Sequence, residues 1–258
     1  MLAKTTWGAG DYPLMATVLE PVSAQVVAAA EVGVGDRVID VATGTGNAAL
    51  QAAARGASVL AVDFEPALLA LARDRERSAG VIEWVEGEAE CLPAADGHAD
   101  VLVSVFGVMY ALDHSRAAQE LVRVLAPCGR IALAAWTPGS FLPAMGAVVA
   151  QYLPPPPAAS GPPSRWGDAE FLRLLLHQVG ARLKATGIDR LTVRFDDIEE
   201  AAGFLIRTAG HVTDQKQQLS RTGRWQALNR DLEAFIRERC GPTPELELEY
   251  LIATATRD

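Results

Sequence analysis

Apolar residues along the chain fall into two alternating rhythms. Short continuous apolar runs occur at Arg37–Val41, Ser58–Val62, Val81–Val85, Val101–Phe106 and Arg130–Trp136. Stretches of helical spacing separate most of them, at Asn47–Arg55, Ala67–Ser78 and Ser115–Leu125. Strands that are apolar throughout and alternate with helices predict βαβ crossovers and a parallel sheet covered on both faces. Ahead of the first strand, Leu14, Val18, Val22, Val26 and Ala30 repeat at helical spacing, with Pro21 among them, so one or two helices are expected there.

The rhythm breaks over 137–167, where Pro154–Pro157 and Gly161-Pro162-Pro163 crowd together; this reads as a connector loop. Asp168 then stands where a cap should open a helix over Ala169–Val179, closed by Gly180. One or two strands follow over Arg182–Asp196. Residues 198–239 read as helical with breaks near Gly210 and Thr222-Gly223, and Glu245–Thr254 alternates as a terminal strand. The expected organisation is a single domain overall: an N-terminal helical segment 1–34, an α/β core 35–137, and residues 138–258 completing the sheet and carrying an inserted helical cap.

Composition narrows the class. The chain has 258 residues, half of them hydrophobic, enough for a sizeable core. No apolar run is long enough to span a bilayer and the N-terminus lacks the apolar stretch of a signal peptide, so a cytoplasmic protein is expected. The formal net charge of −9 without a dense Lys/Arg run argues against a nucleic-acid partner. Cys91, Cys128 and Cys240 lie far apart with no Cys/His cluster, which argues against disulfides and a metal site.

The candidate chemistry lies in Val38-Ile39-Asp40-Val41-Ala42-Thr43-Gly44-Thr45-Gly46-Asn47. A strand ending in a Gly-rich turn that opens a helix presents backbone N–H groups to a ligand. The next strand ends in Asp63, placed by a parallel sheet beside that turn, where it can accept hydrogen bonds from two ribose hydroxyls. The ligand should therefore be a nucleoside. Asp40 at the strand end would repel a pyrophosphate but accept a hydrogen bond from an ammonium group, which favours a nucleoside carrying an amino acid over a dinucleotide.

With Asp40–Gly46 and Asp63 in place, two further segments complete a resemblance. Glu86–Pro93 with Asp96–Asp100 resembles a "GDAxxLPFxDxxFD" stretch, and Arg123–Arg130 resembles an "RVLKPGG" turn. Together, in this order, they resemble class I S-adenosylmethionine-dependent methyltransferases, among them the small-molecule ubiquinone/menaquinone C-methylating group. The resemblance implies a doubly wound, Rossmann-like α/β sheet of seven strands, mostly parallel with an antiparallel last strand, and S-adenosyl-L-methionine as cofactor.

It also implies roles. Gly44 and Gly46, with Ala42 and Thr43 beside them, would cradle the methionine part and Asp40 its amino end. Asp63 would hold the ribose and Phe64 the adenine face. Glu88 and the Ala89 amide would meet the adenine edge; Ser104, Val105 and Phe106 would line the methyl channel. Tyr12, in an aromatic N-terminal segment with Trp7, would close the site. Departures from the family pattern are Ala42 and Cys128, where glycine is common, and Glu88, where Asp is.

Positioning alone can carry much of a methyl transfer, so no base motif is required. His114, after the fourth strand, and His211, in the late helices, are the candidate catalytic residues; His98 and His177 are expected at the surface or in a structural role. Phe106, Met109, Tyr110, Trp136 and Phe141 are either an apolar acceptor pocket or plain core. The implied function is methyl transfer to a small, largely apolar metabolite, by a monomer or homodimer. Three alternatives stay open: a non-methylating reaction on the same bound cofactor, a nicotinamide-dependent oxidoreductase, and a protein that only binds partners.

Overall fold

The computed structural model describes residues 7–76, 82–154, 161–241 and 244–258. Among them run strands β1 (Arg37–Val41), β2 (Ser58–Asp63), β3 (Ile82–Glu86), β4 (Ala99–Val105), β5 (Leu125–Trp136), β6 (Ala181–Arg194) and β7 (Glu245–Arg257). The helices are α1 (Tyr12–Ala29), α2 (Asn47–Ala54), α3 (Pro66–Arg75), α4 (His114–Arg123), α5 (Phe141–Val149), α6 (Ala169–Gln178), α7 (Ile198–Thr208), α8 (Gly210–Arg221) and α9 (Arg224–Cys240). Val81 and Pro155–Pro157, part of the expected third strand and of the proline run, lie outside the described residues.

All seven strands form one sheet in the order β3-β2-β1-β4-β5-β7-β6. β7 is antiparallel to both β5 and β6, and the pairs from β3 to β5 are parallel. The doubly wound sheet with an antiparallel last strand is therefore as the sequence implied. β1, β4 and β5 are mostly apolar because helices cover both faces; Ile39, Leu102, Ile131 and Leu133 are essentially without solvent contact. β6 lies at the edge and is mostly exposed, which is why its sequence alternates weakly.

Two arrangements position the site. Chain order reverses between β1 and β4, so a crevice opens beyond their carboxyl ends. β6 runs antiparallel to β7 and hence parallel to β5, so it too ends at that edge. Helices α7, α8 and α9, inserted between β6 and β7, therefore emerge beside the crevice as a cap.

The expectations need two refinements. α1 is a single helix despite Pro21, whose ring faces solvent while Leu19, Val22 and Val26 pack inward. The 137–167 stretch is not a plain connector: Ser140 precedes α5, and a 3₁₀ turn spans Pro163–Gly167. α5 forms because Phe141, Met145 and Val149 share one buried face, with Phe141 against Phe235 of α9 at 5.1 Å between ring centroids. Proline composition hid a helix that tertiary packing supplies.

Several charged residues of the family-like landmarks are fasteners. Arg123 donates to the carboxylate of Glu120, to the carbonyls of Leu92 and Ala94, and to Asp96. Glu120 is only 3% exposed and also accepts the Leu92 N–H at 2.8 Å, so this network ties the 88–96 segment to α4. Cys128 has φ of 63°, which explains why the corresponding turn favours glycine. Removing Arg123 would leave the buried Glu120 carboxylate with only the more distant Arg116, at 3.6 Å, as its cation. Arg123→Ala is expected to lower stability by about 3 kcal/mol in urea unfolding, and Glu120→Gln by less.

Candidate functional site

The turn after β1 is built on backbone that few residues adopt. Ala42, Gly44 and Gly46 have φ of 56°, 56° and 84°. Space is as restrictive as conformation: a Cβ on Gly44 would lie 3.0 Å from the Tyr12 ring, and one on Gly46 2.5 Å from the Trp84 ring. Across the switch point Phe106, just past β4, also has φ of 56°, and a Cβ on Gly107 would lie 2.4 Å from that of Ala42. Left-handed non-glycine residues thus face each other at the ends of adjacent strands, a concentration of strain typical of ligand sites.

Two carboxylates flank this turn. Asp40 is 1% exposed, and one of its oxygens accepts from Thr43 Oγ1 at 2.6 Å and from the Ala49 N–H at 3.0 Å. It therefore stitches the strand end to the first turn of α2, which has no side-chain cap. Burial pushes its pKa up to about 7, against the pull of those two hydrogen bonds. Asp63, ending β2, accepts from the Gly44 N–H at 2.7 Å and, on its other oxygen, from the Glu65 N–H at 2.9 Å. Burial raises its pKa as well, opposed by the backbone donors.

Sequence reasoning missed two supports of the turn. Arg75, at the end of α3, donates to the Thr45 carbonyl at 2.7 Å, to Thr45 Oγ1 and to Asn47 Oδ1. Trp84 on β3 lies over Gly46 and donates to Glu76 at 2.9 Å. Both act through contacts distant in sequence, and no local motif announces them.

A strap crosses the crevice from the N-terminal side. Asp11 N–H donates to the Arg207 carbonyl at 2.7 Å, and a Cβ on Gly10 would press on that oxygen and on the Gly210 nitrogen. Tyr12 is thereby held over Gly44, where burial and the nearby Asp63 carboxylate keep its hydroxyl protonated. Trp7 meets the rings of Tyr110, His211 and Tyr12 at 4.8, 6.3 and 6.4 Å. A cavity at the turn brings together Tyr12, Asp40, Ala42, Thr43 and Val105.

The other expected site residues divide. Phe64 is half-buried directly after Asp63; Glu88 is exposed and Ala89 half-buried just past β3. Ser104 is fully buried, its hydroxyl donating to the Val41 carbonyl at 2.8 Å and accepting from Val108 N–H, so it couples β1 to the loop after β4. Phe106 stacks on Trp136 with centroids 3.6 Å apart, and both are core, as are Met109 and Phe141. Of that aromatic group, only Tyr110 reaches solvent, at 40% exposure.

The histidines also separate. His114 is 2% exposed beneath Trp166 and Phe171, each at 6.0 Å between centroids, and does not line the cavity at the turn. His211, at the start of α8, is half-buried beside Trp7, and burial lowers its pKa below the usual imidazole range. His98 and His177 are exposed.

Asp40 gives a stability test. Its folded pKa of about 7 exceeds the ordinary aspartate value of 3.8, so the folded state holds the extra proton between those values. This group's contribution is most favourable at low pH and is lost as pH rises from about 4 to 7. Asp40→Asn, which keeps an acceptor for Thr43 and Ala49, is expected to raise stability at pH 8 by about 2 kcal/mol. Differential scanning fluorimetry across pH should show the gain shrinking toward pH 5.

Comparison with known proteins agrees with this geometry. Residues 39–133 match a family described as "Methyltransferase domain". An uncharacterised protein of Mycobacterium bovis is 35% identical over 98% of this chain and 93% of its own length. A demethylmenaquinone methyltransferase of Thermus thermophilus is 38% identical, over 48% of this chain and 51% of its own length. The crystal structure of YcgJ from Bacillus subtilis superposes with a TM-score of 0.64 at 16% identity, covering 92% of this chain and 98% of that one. The chain carries a methyltransferase domain over residues 39–133 and belongs to one family with the Mycobacterium bovis relative.

Proposed function

We propose that the protein transfers a methyl group from S-adenosylmethionine to a small, largely apolar acceptor bound between the carboxyl ends of β1 and β4 and the helical cap. The observation carrying this reading is the left-handed turn Ala42–Gly46 held between two buried carboxylates. The residues fit the cofactor. Asp40, Ala42 and Thr43 line the cavity at the turn, and Asp40 and Asp63 are acceptors suited to an ammonium and a ribose diol. Asp40 at the strand end would repel the pyrophosphate of a dinucleotide, which disfavours the nicotinamide alternative.

Bound S-adenosylmethionine supplies an electrophilic methyl carbon, and as the acceptor bonds to it the carbon–sulfur pair returns to sulfur. The protein's part is to bind and orient. Gly44 and Gly46 would admit the methionine part, with Asp40 at its amino end. Asp63 would hold the ribose; Phe64, Glu88 and Ala89 would surround the adenine. Ser104 fixes the loop after β4 through its own hydroxyl, leaving Val105 as the side chain facing the cavity at the turn. Tyr12 would close over the bound cofactor and exclude water from the transfer path. In-line positioning of this kind is worth up to about 7–11 kcal/mol.

The role of Asp63 is tested by methyl-labelled cofactor incubated with a set of apolar small molecules. Label should pass to an acceptor with the wild type, and Asp63→Ala should raise the cofactor KM at least about tenfold, equivalent to about 1.4 kcal/mol. An unchanged KM in the variant would remove Asp63 from the ribose contact.

A further inference from the structure

The cluster of Trp7, Tyr110 and His211 has no part in the cofactor contacts, yet it is assembled from three separate places in the chain. Trp7 belongs to the N-terminal strap, Tyr110 to the loop after β4, and His211 to the first turn of α8. The strap is pinned to the α7–α8 junction by Asp11 and Gly10, which sets the Trp7 ring between the other two. Its far side meets Tyr12, which covers Gly44, so the cluster adjoins the place where a methyl group would be presented.

Its chemistry is selective. Tyr110 and Leu112 are two of the few large apolar side chains left exposed, at 40% and 39%, and they lie together on this loop. Trp7 meets Tyr110 at 63° between ring planes, so the cluster offers both ring faces and ring edges to a flat guest. The nearest carboxylates are Glu65, which accepts from the Gly8 N–H, and Glu90, which accepts from the N–H groups of Leu112 and Asp113, while Arg116 donates to the Glu90 carbonyl. The rings offer an uncharged guest stacking contacts that need no counter-ion. Beside the rings, His211 is half-buried with an imidazole that can take a proton.

We propose that Trp7, Tyr110 and His211 form the acceptor wall and select a planar, uncharged hydroxyl compound of the phenol class, with Trp7 setting specificity and His211 receiving the hydroxyl proton. This rests on the methyltransferase reading above and names its acceptor class. The oxygen–hydrogen bond breaks as the new oxygen–methyl bond forms; the proton goes to an imidazole nitrogen and the carbon–sulfur pair to sulfur.

The test uses the whole protein saturated with S-adenosylhomocysteine and two probes of one skeleton, planar 2-naphthol and saturated decahydro-2-naphthol. Calorimetry should show 2-naphthol binding at least about tenfold tighter. Trp7→Ala should lose that preference and Trp7→Phe should keep it. With S-adenosylmethionine, the wild type should form the naphthyl methyl ether. His211→Gln should still bind 2-naphthol but make the ether at least about 100-fold more slowly, the range expected for losing a general base. Equal affinity for the two probes, an unaltered preference in Trp7→Ala, absence of ether, or full activity of His211→Gln would overturn the proposal. S-Adenosylhomocysteine binding is measured first: its failure would overturn the cofactor reading as well, whereas its success with no probe discrimination overturns only the acceptor wall.

Discussion

The architecture depends on how the chain leaves β1. Beyond Val41 it must turn sharply enough to start α2 while staying clear of β4, whose own exit lies alongside. The solution is the left-handed turn at Ala42, Gly44 and Gly46, matched across the gap by Phe106 and Gly107. Such backbone is costly, of order 1–3 kcal/mol for a non-glycine residue, and persists only where its surroundings hold it. Here Asp40 holds it from inside, Asp63 through the Gly44 N–H, Arg75 through Thr45, and Trp84 from above Gly46. The same carboxylates that fasten the turn are the acceptors a nucleoside with an amino-acid tail requires. On the proposed reading, fold and cofactor recognition would share one set of groups.

A second coupling follows from topology. Because β6 ends at the same edge as the parallel strands, the helices after it reach the crevice and meet the strap from the opposite end of the chain. Asp11 bonded to Arg207, and Trp7 against His211, join the first described residues to the cap. Tyr12 over the turn and Trp7 against the cap are five residues apart on one strap, so on the proposed reading covering the cofactor and shaping the acceptor side would be one structural event.

Strand and helix placement was largely legible because the central strands are buried on both faces and their apolar runs are uninterrupted. Asp40, the glycines and Asp63 were legible because strand, turn and acid occur at a spacing that a parallel sheet converts into proximity. What escaped detection is non-local. α5 is held by Phe141 packing on Phe235, far along the chain, and its Pro143 and Gly146 argue locally against a helix. The position of His114 suggests a rim residue, but Trp166 and Phe171 arrive from the following segments and bury it. Arg75 and Trp84 read as ordinary members of α3 and β3. Trp136, by contrast, reads as core from its place on the fifth strand, and it stacks on Phe106.

The central claim is that the turn between Asp40 and Asp63 is a site for S-adenosylmethionine. Isothermal titration of the purified protein with S-adenosylmethionine and S-adenosylhomocysteine tests it most directly. The account predicts micromolar-range binding of both ligands at one site per chain, about −8 kcal/mol. Heatless, unsaturable titrations with both ligands, with no shift in melting temperature on adding either, would contradict it.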